Sequence, residues 1–297
     1  MRKTANLARL EGLYTSSLSE RDFRRLSKFI YDECGVNLPK YKKILLESRL
    51  HKRIRRLKIP SLEEYCNYLF SPQGMKQELS NMIDAITTNK TDFFRESAQF
   101  DYLVQQVLPE LISENRAGFS HTLSVWSAGC SSGEEPYTLA MLLQDYSERL
   151  HNNSLDYYIL ATDVSLGILK KAKQGIYEHA QIKPIPYGFR KKYLLKGRKK
   201  INNLVRIVPE LRKSVRFKRL NFLENNFGIP DPVDILFCRN VIIYFDRAVQ
   251  ERVLRKLCHY LRPGGYLFMG HSETLNQITL PLVQVEPTIY KKQHDTI

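Results

Sequence analysis

Ser127-Ala128-Gly129-Cys130-Ser131-Ser132-Gly133-Glu134-Glu135 sets small residues between an apolar run and a helix-like run. Small residues at such a junction let a backbone approach a nucleoside closely. The spacing is not the GxGxxG of dinucleotide binders, and the two acids argue further against one. A pyrophosphate at that helix start would be repelled by Glu134 and Glu135, whereas a sulfonium, an amine or a ribose hydroxyl would not. The loop therefore favours S-adenosylmethionine over NAD. Asp163 closes the next apolar run, DYYILATD, where an acid can accept hydrogen bonds from ribose hydroxyls. The plain alternative for Asp163 is a helix cap ahead of Ser165.

Such residues need a scaffold that brings strand ends together. TLSVWSAG reads as a buried strand, followed by a helix from about Glu134 to Leu150, the strand DYYILATD and the helix SLGILKKAKQG. This βαβα rhythm specifies an α/β fold, an open parallel sheet with ligands at the carboxyl ends of its strands. VDILFCRN, a helix from Arg247 to Tyr260, the turn RPGG and the strand YLFMG continue it, and PLVQVEPTIYKK reads as a closing antiparallel pair. Between Lys183 and Phe217 short alternating runs interrupt the rhythm, which predicts a small antiparallel insertion at about 183–218. The stretch from Ser19 to about Asp84 is helical, broken at Asn37, Pro39, Pro60, Pro72 and Gly74. Two domains are expected: a helical one over 18–86 and the α/β one over 87–297.

On Lys40–Lys58, a rotation of about 100° per residue puts Leu46, Leu50, Ile54 and Leu57 on one stripe. Lys42, Arg49, Arg53 and Arg56 fall on the adjacent stripe. A basic ridge beside an apolar seam can pack on its own domain while offering guanidinium groups to an acidic partner helix. An ordinary solvated face is the alternative.

The 297 residues, 43% of them apolar, supply cores for two folded units and exclude a disordered or fibrous chain. The net charge of +15 is unevenly spread: residues 1–88 hold 17 Lys/Arg against 10 Asp/Glu, residues 183–219 hold 14 against one, and the remainder is acidic. Confined basic regions favour docking by those regions over a uniformly cationic surface, with solvated lysines as the alternative. Five scattered cysteines form neither a CxxC pair nor a zinc-spaced cluster, so buried thiols and no metal are expected. No uninterrupted apolar run reaches the roughly 18 residues a membrane span needs, and the N-terminal stretch lacks a secretory core. A cytoplasmic protein without membrane insertion is expected.

TTNKTDFFRE, SAGCSSGEEPYTLAM, ATDVS, FCRNVIIYFD and LRPGGYLFMGHSETL, in that order behind a small helical domain, resemble the CheR-type chemotaxis protein-glutamate O-methyltransferase family. The likeness runs from Leu18 to Tyr290. It implies a class I S-adenosylmethionine-dependent methyltransferase: a Rossmann-like sheet with a small antiparallel β-subdomain insertion, preceded by an all-helical N-terminal domain. It implies methylation of glutamate carboxylates on chemotaxis receptor cytoplasmic helices, for sensory adaptation. By the family pattern Asn89, Thr91 and Arg95, with Gly129 and Glu134 of the glycine loop, hold the cofactor. Asp163 binds its ribose, and Asn221, Phe222, Arg239 and Asn240 complete the adenosine and methionine contacts.

The same pattern puts Arg95 and Tyr244 nearest the methyl transfer. An ionised glutamate is already a nucleophile, so in-line positioning supplies most of the rate and no strong base is required. Arg95 would orient the substrate carboxylate as a fork-shaped donor, with the Tyr244 hydroxyl as a second donor. The alternative is that Arg95 pairs with Glu96 or Asp92. Phe93, Phe94, Ile242, Ile243 and Phe245 are expected in the core, and His271 reads either as a polar neighbour of the site or as a hydrogen-bonded structural histidine, outside the catalytic set. Family members engage the receptor through the N-terminal basic helix and the inserted subdomain, some through a tethering peptide at the receptor C-terminus. The basic residues of this insertion, Arg198, Lys199 and Lys200, are expected to add an electrostatic contact with an acidic receptor coiled coil. The rival reading, a nucleic-acid methyltransferase, suits the charge but lacks an Asn/Asp-Pro-Pro-Tyr/Phe motif and aromatics interleaved with the basic patches, so no DNA or RNA partner is expected. A second rival is a non-catalytic receptor-bound adaptor or ligand sensor that keeps the fold but has lost transfer; against it, every cofactor-motif residue the family requires is present.

Overall fold

In the computed structural model, which describes residues 17–150, 155–198, 202–275 and 278–294, Asn37, Pro39 and Pro60 fall between short helices, whereas Pro72 opens a helix and Gly74 lies within it. α1 (Glu20–Cys34) starts at Ser19, whose Oγ accepts the Asp22 N–H at 3.0 Å, and stops at Gly35, which adopts φ 74°. α2 (Lys43–Leu57), α3 (Leu62–Leu69), α4 (Pro72–Gln77) and α5 (Leu79–Ile86) follow. A β-carbon on Gly74 would lie 1.9 Å from the Tyr68 carbonyl oxygen, so only glycine lets α3 and α4 fold together here.

α2 buries Leu46, Leu50 and Ile54, as its periodicity requires, but it also buries Arg53. Arg53 Nε and Nη2 donate to the two oxygens of Glu78 at 2.7 and 2.6 Å, and the Tyr65 hydroxyl donates to the same carboxylate at 3.1 Å. The structure thus removes Arg53 from the outward ridge expected of it. Its partner arrives 25 residues later in the chain, beyond the reach of helix periodicity. Arg49 is also engaged internally, with the Ile86 carbonyl and, at 2.7 Å, Thr88 Oγ1. Lys42 is half-buried; the exposed basic residues of α2 are Lys52, Arg55 and Arg56, with Tyr41, Ile44 and Leu45 exposed around its start. This compact unit takes the chain as far as Thr88, and adds Ser165–Gly167 and Tyr244–Asp246, two short pieces that the linear division does not carry.

The second unit comprises Asn89–Val164, Ile168–Ile243 and the chain from Arg247. α6 (Ser97–Tyr102), a π turn (Leu103–Val107) and α7 (Leu108–Asn115) run without interruption. Pro109 lacks an N–H and crowds the carbonyl four residues earlier, and the π turn sits where that crowding falls. The α/β order then follows: β1 (Leu123–Ala128), α8 (Glu134–Arg149), β2 (Tyr157–Asp163), α9 (Leu166–Gln174), β3 (Ile176–Glu178), α10 (Tyr187–Tyr193), β4 (Leu194–Lys196), β5 (Leu204–Ile207), α11 (Pro209–Ser214) and β6 (Val215–Arg219). β7 (Val233–Cys238), α12 (Arg247–His259), β8 (Leu261–Met269), β9 (Leu282–Glu286) and β10 (Ile289–Lys292) complete it.

Seven strands lie in the order β6-β2-β1-β7-β8-β10-β9, the first five parallel and the last two an antiparallel hairpin. From β1 the crossovers leave toward opposite edges. The carboxyl ends of β1 and β7 therefore form the switch point, where open parallel sheets bind ligands. Asp234, buried in β7, accepts both the N–H and the hydroxyl of Ser124 in β1 at 2.8 Å, which ties these two strands together. Phe237 and Phe268 stack at 4.2 Å within the core, and Phe100 lies over Phe237. Trp126 is fully buried, its Nε1 donates to Thr162 Oγ1 at 2.9 Å, and it meets Phe227 and Tyr260 edge-on.

The inserted antiparallel sheet, β3-β5-β4, is present, but it opens at Ile176 rather than near residue 183. Val215–Arg219 is no part of it, because β6 pairs in parallel with β2 in the main sheet. A three-residue strand such as β3 shows no period of its own, and an alternating run such as β6 does not announce its partner. All five cysteines are free and buried. Phe93, Ile242 and Phe245 are buried as expected and Phe94 is partly so, but Ile243 is 42% exposed. No helix among the described residues is long and apolar enough to cross a membrane.

Breaking a buried ion pair from one side leaves an uncompensated charge, at a cost of about 3–5 kcal/mol. Arg53→Ala should therefore destabilise the chain by about that amount in urea unfolding, whereas Arg53→Met with Glu78→Leu should recover most of the loss. A change below about 1 kcal/mol for Arg53→Ala would show that Glu78 finds other partners.

Candidate active site

Three residues in left-handed backbone conformation turn the chain out of β1: Gly129 at φ 88°, Ser131 at 49° and Gly133 at 96°. A β-carbon on Gly129 would stand 2.4 Å from Val241 Cγ2, so this glycine lets the loop lie against the turn that follows β7. The N–H groups of Gly129 and Cys130 donate to the Thr162 carbonyl at 2.8 and 2.9 Å, and the Ser131 N–H donates to Asp163 Oδ2 at 2.9 Å. Ser131 Oγ donates to the Asn89 carbonyl at 2.9 Å, and the Leu220 N–H donates to the Asp163 carbonyl at 3.0 Å. Asn89, Gly129, Glu134, Asp163 and Asn221 are thereby gathered around the ends of β1 and β2. Thr91 is half-buried on the segment that leaves Asn89. Phe222 is buried and meets Phe227 edge-on.

The two acids at the start of α8 have different surroundings. Glu135 accepts the Ser127 hydroxyl at 2.6 Å and lies 3.4 Å from Nη1 of Arg239. Arg239 is itself buried, 3.2 Å from Glu96 Oε2 through Nη2, in contact with the Arg95 carbonyl, and over the Phe100 ring. Its guanidinium thus joins the end of β7 to the Arg95–Glu96 turn and to α8. Glu134 is only 1% exposed, yet among the described residues no cation pairs with it. It accepts the Ser132 hydroxyl at 2.6 Å and the Gln181 amide at 3.5 Å. Burial pushes its carboxyl up to about 7, and the charge of Asp92 adds to the rise.

Arg95 is partly exposed; its Nη1 donates to the Lys90 carbonyl at 3.2 Å, and its Nε stands 3.9 Å from Glu96 Oε1. Tyr244 ends a 3-10 turn (Ile242–Tyr244) and belongs to the helical unit, where its carbonyl accepts the Asn37 N–H at 2.9 Å. Asn240 adopts φ 56°, one residue beyond Arg239. Lys199 and Lys200 lie outside the described residues, and Arg198 is exposed. Sequence reasoning passes over Tyr177 and Gln181: the Tyr177 hydroxyl of β3 donates to the Ser132 carbonyl at 2.8 Å, and Gln181 reaches Glu134 across 47 residues. No local spacing marks either of them. Glu96, Glu135 and Glu273 are legible only as members of motifs, not as partners of Arg239 and of the turn after β7.

The groups at this place fit S-adenosylmethionine. A cradle that a β-carbon would fill, a buried acid that no described cation pairs with, and a second acid at the end of β2 suit an ammonium or sulfonium and a ribose diol. Glu134, protonated below about pH 7, must ionise to hold a cation. Affinity for S-adenosylhomocysteine should therefore rise with pH through neutrality and fall by up to about tenfold per unit below it. Glu134→Gln should weaken binding and flatten that profile between pH 5.5 and 7.5, measured by calorimetry. An unchanged profile in the variant would assign the titration elsewhere.

Comparison with known proteins agrees with this geometry. A family model described as "CheR methyltransferase, SAM binding domain" matches residues 89–290, and one described as "CheR methyltransferase, all-alpha domain" matches residues 21–87. The chain is 39% identical over 277 residues to a chemotaxis protein methyltransferase of Borreliella burgdorferi, covering 93% of this chain and 95% of that one. It is 36% identical over 279 residues to the chemotaxis protein methyltransferase of Escherichia coli, covering 94% and 93%. The chain therefore belongs to the CheR methyltransferase family, and its α/β unit is an S-adenosylmethionine-binding methyltransferase domain.

Proposed function

We propose that this enzyme esterifies glutamate side chains on the cytoplasmic helices of chemotaxis receptors, in the cytoplasm, as part of sensory adaptation. The observation that carries the reading is the buried Glu134, which has no cationic partner among the described residues, at the start of the helix that follows β1. S-adenosylmethionine supplies the electrophilic methyl group. Glu134 and Asp163 would hold its charged and hydroxyl groups; Asn89, Thr91, Asn221, Phe222 and Asn240 would complete the enclosure. The substrate glutamate is ionised near neutral pH, so the protein needs to orient and desolvate it rather than deprotonate it. Arg95, with part of its guanidinium exposed, would grip that carboxylate, and the Tyr244 hydroxyl would donate a second hydrogen bond. Arg239 would act from beneath, fixing the Arg95–Glu96 turn through its own ion pairs.

Docking would use charge. With Arg53 turned inward, the face of α2 available to an acidic receptor helix is Lys52, Arg55 and Arg56, with Tyr41, Ile44 and Leu45 for apolar contact. Lys42 and Arg49 would border it. Arg198, Lys199 and Lys200 would add the insertion's contact, and the open edge at β4, where Leu195 is half exposed, can pair with a tethering peptide.

Incubation with methyl-labelled S-adenosylmethionine should label a receptor cytoplasmic fragment, as a product lost in mild base, and leave RNA unlabelled. Label on RNA, or base-stable label on protein, would refute the reading. Reversing Arg198, Lys199 and Lys200 to Glu should slow receptor methylation and lessen its salt dependence, while S-adenosylhomocysteine affinity stays as in the wild type. Unchanged methylation and salt dependence would remove the insertion from the docking surface.

A further inference from the structure

In the segment that follows β8, the fold buries Glu273, at 4% exposure, while the His271 side chain is 64% exposed. Glu273 Oε2 accepts the N–H groups of Asn240 and Gly270, each at 2.8 Å. Its Oε1 accepts those of Val241 and Ile242 at 2.8 and 2.9 Å. Three consecutive amides of the turn after β7 thus converge on one carboxylate, the concave arrangement by which backbones bind anions, with the anion here supplied by the protein. The turn needs such a clasp. Asn240 has φ 56°, which costs energy for any residue with a β-carbon and persists only where surroundings enforce it. The clasp is closed from the other side by Gly270, where a β-carbon would stand 2.6 Å from Asn240 Nδ2 and 2.8 Å from Asn240 N. Gln99, also buried, holds the end of β8 in place by donating to the Met269 carbonyl at 2.7 Å.

We propose that Glu273 is a positioning residue for cofactor binding: its carboxylate sets the backbone of Asn240–Ile242 so that Asn240 is presented to S-adenosylmethionine. The proposal rests on the reading that Asn240 contacts the cofactor. Acting through the turn, Glu273 governs affinity and not merely folding. Glu→Gln at this position keeps the volume but turns an amide donor toward backbone donors and leaves N–H groups without an acceptor.

Calorimetry with S-adenosylhomocysteine on the full chain, for the wild type, Asn240→Ala, Glu273→Gln and the double variant, separates the possibilities. Asn240→Ala and Glu273→Gln should each weaken binding about tenfold, and the double variant should lose little more than the weaker single variant, because both remove one contact. Gly270→Ala, which pushes Asn240 while leaving the carboxylate intact, should show the same loss and covers the case in which Glu273→Gln does not fold. Hydrogen exchange over residues 239–243 should speed up in Glu273→Gln, and Leu257→Ala, a destabilised control in α12, should bind as the wild type does. If Asn240→Ala is weakened but Glu273→Gln and Gly270→Ala bind normally, or if the losses multiply, the positioning role is refuted. If Asn240→Ala binds normally, the contact assigned to Asn240 fails, and the proposal fails with it for that distinguishable reason.

Discussion

A carboxylate kept in the interior with no cation beside it among the described residues is the constraint on which this site turns. Its neighbour shows the ordinary solution: Glu135, partly enclosed, faces Arg239 and the Ser127 hydroxyl. Among the described residues Glu134 has the Ser132 hydroxyl, the Gln181 amide and a backbone N–H but no cation, and its carboxyl rises to about 7. The positive end of α8 offsets part of the cost of such an acid, but a helix start can carry its acids in water and does not require burial. An enclosed acid lacking its counter-charge is relieved when a cation arrives, which is the property a binder of a sulfonium and an ammonium needs.

The surrounding structure repeats one device, the use of buried or half-buried carboxylates to fix backbone. Asp163 holds the Ser131 amide, Glu273 holds the amides after β7, and Asp234 ties β1 to β7 at Ser124. Glu96 and Glu135 flank Arg239, which is otherwise a charge buried under the strand ends. The result is a switch point whose two sides are held by the protein's own contacts. That suits a reaction whose nucleophile is already ionised, because positioning is then the main thing left for the protein to supply.

What could be read from the chain follows interaction range. The glycine loop, Asp163 and the βαβα rhythm are local patterns, and they led to the sheet, the switch point and the cofactor class. Residues whose meaning depends on a distant partner could not be read. Arg53 looks like an outward arginine until Glu78 meets it, and Glu273 looks like part of a histidine motif until four amides meet it. β3, three residues long, and β6, whose partner is β2, mark the same limit in the sheets. Ile243 fails for a related reason: an apolar run of FCRNVIIYF does not say which of its residues the 3-10 turn will face outward.

The most direct test of the unpaired acid is the proton it must give up when a cation binds. With its carboxyl at about 7, Glu134 is half protonated at pH 7. Calorimetry of S-adenosylhomocysteine binding at that pH, in buffers of different ionisation enthalpy, should show release of roughly half a proton per site in the wild type and almost none in Glu134→Gln. Heats that do not depend on the buffer in the wild type would contradict the account, since Glu134 would then either be ionised already or remain untouched by the cofactor.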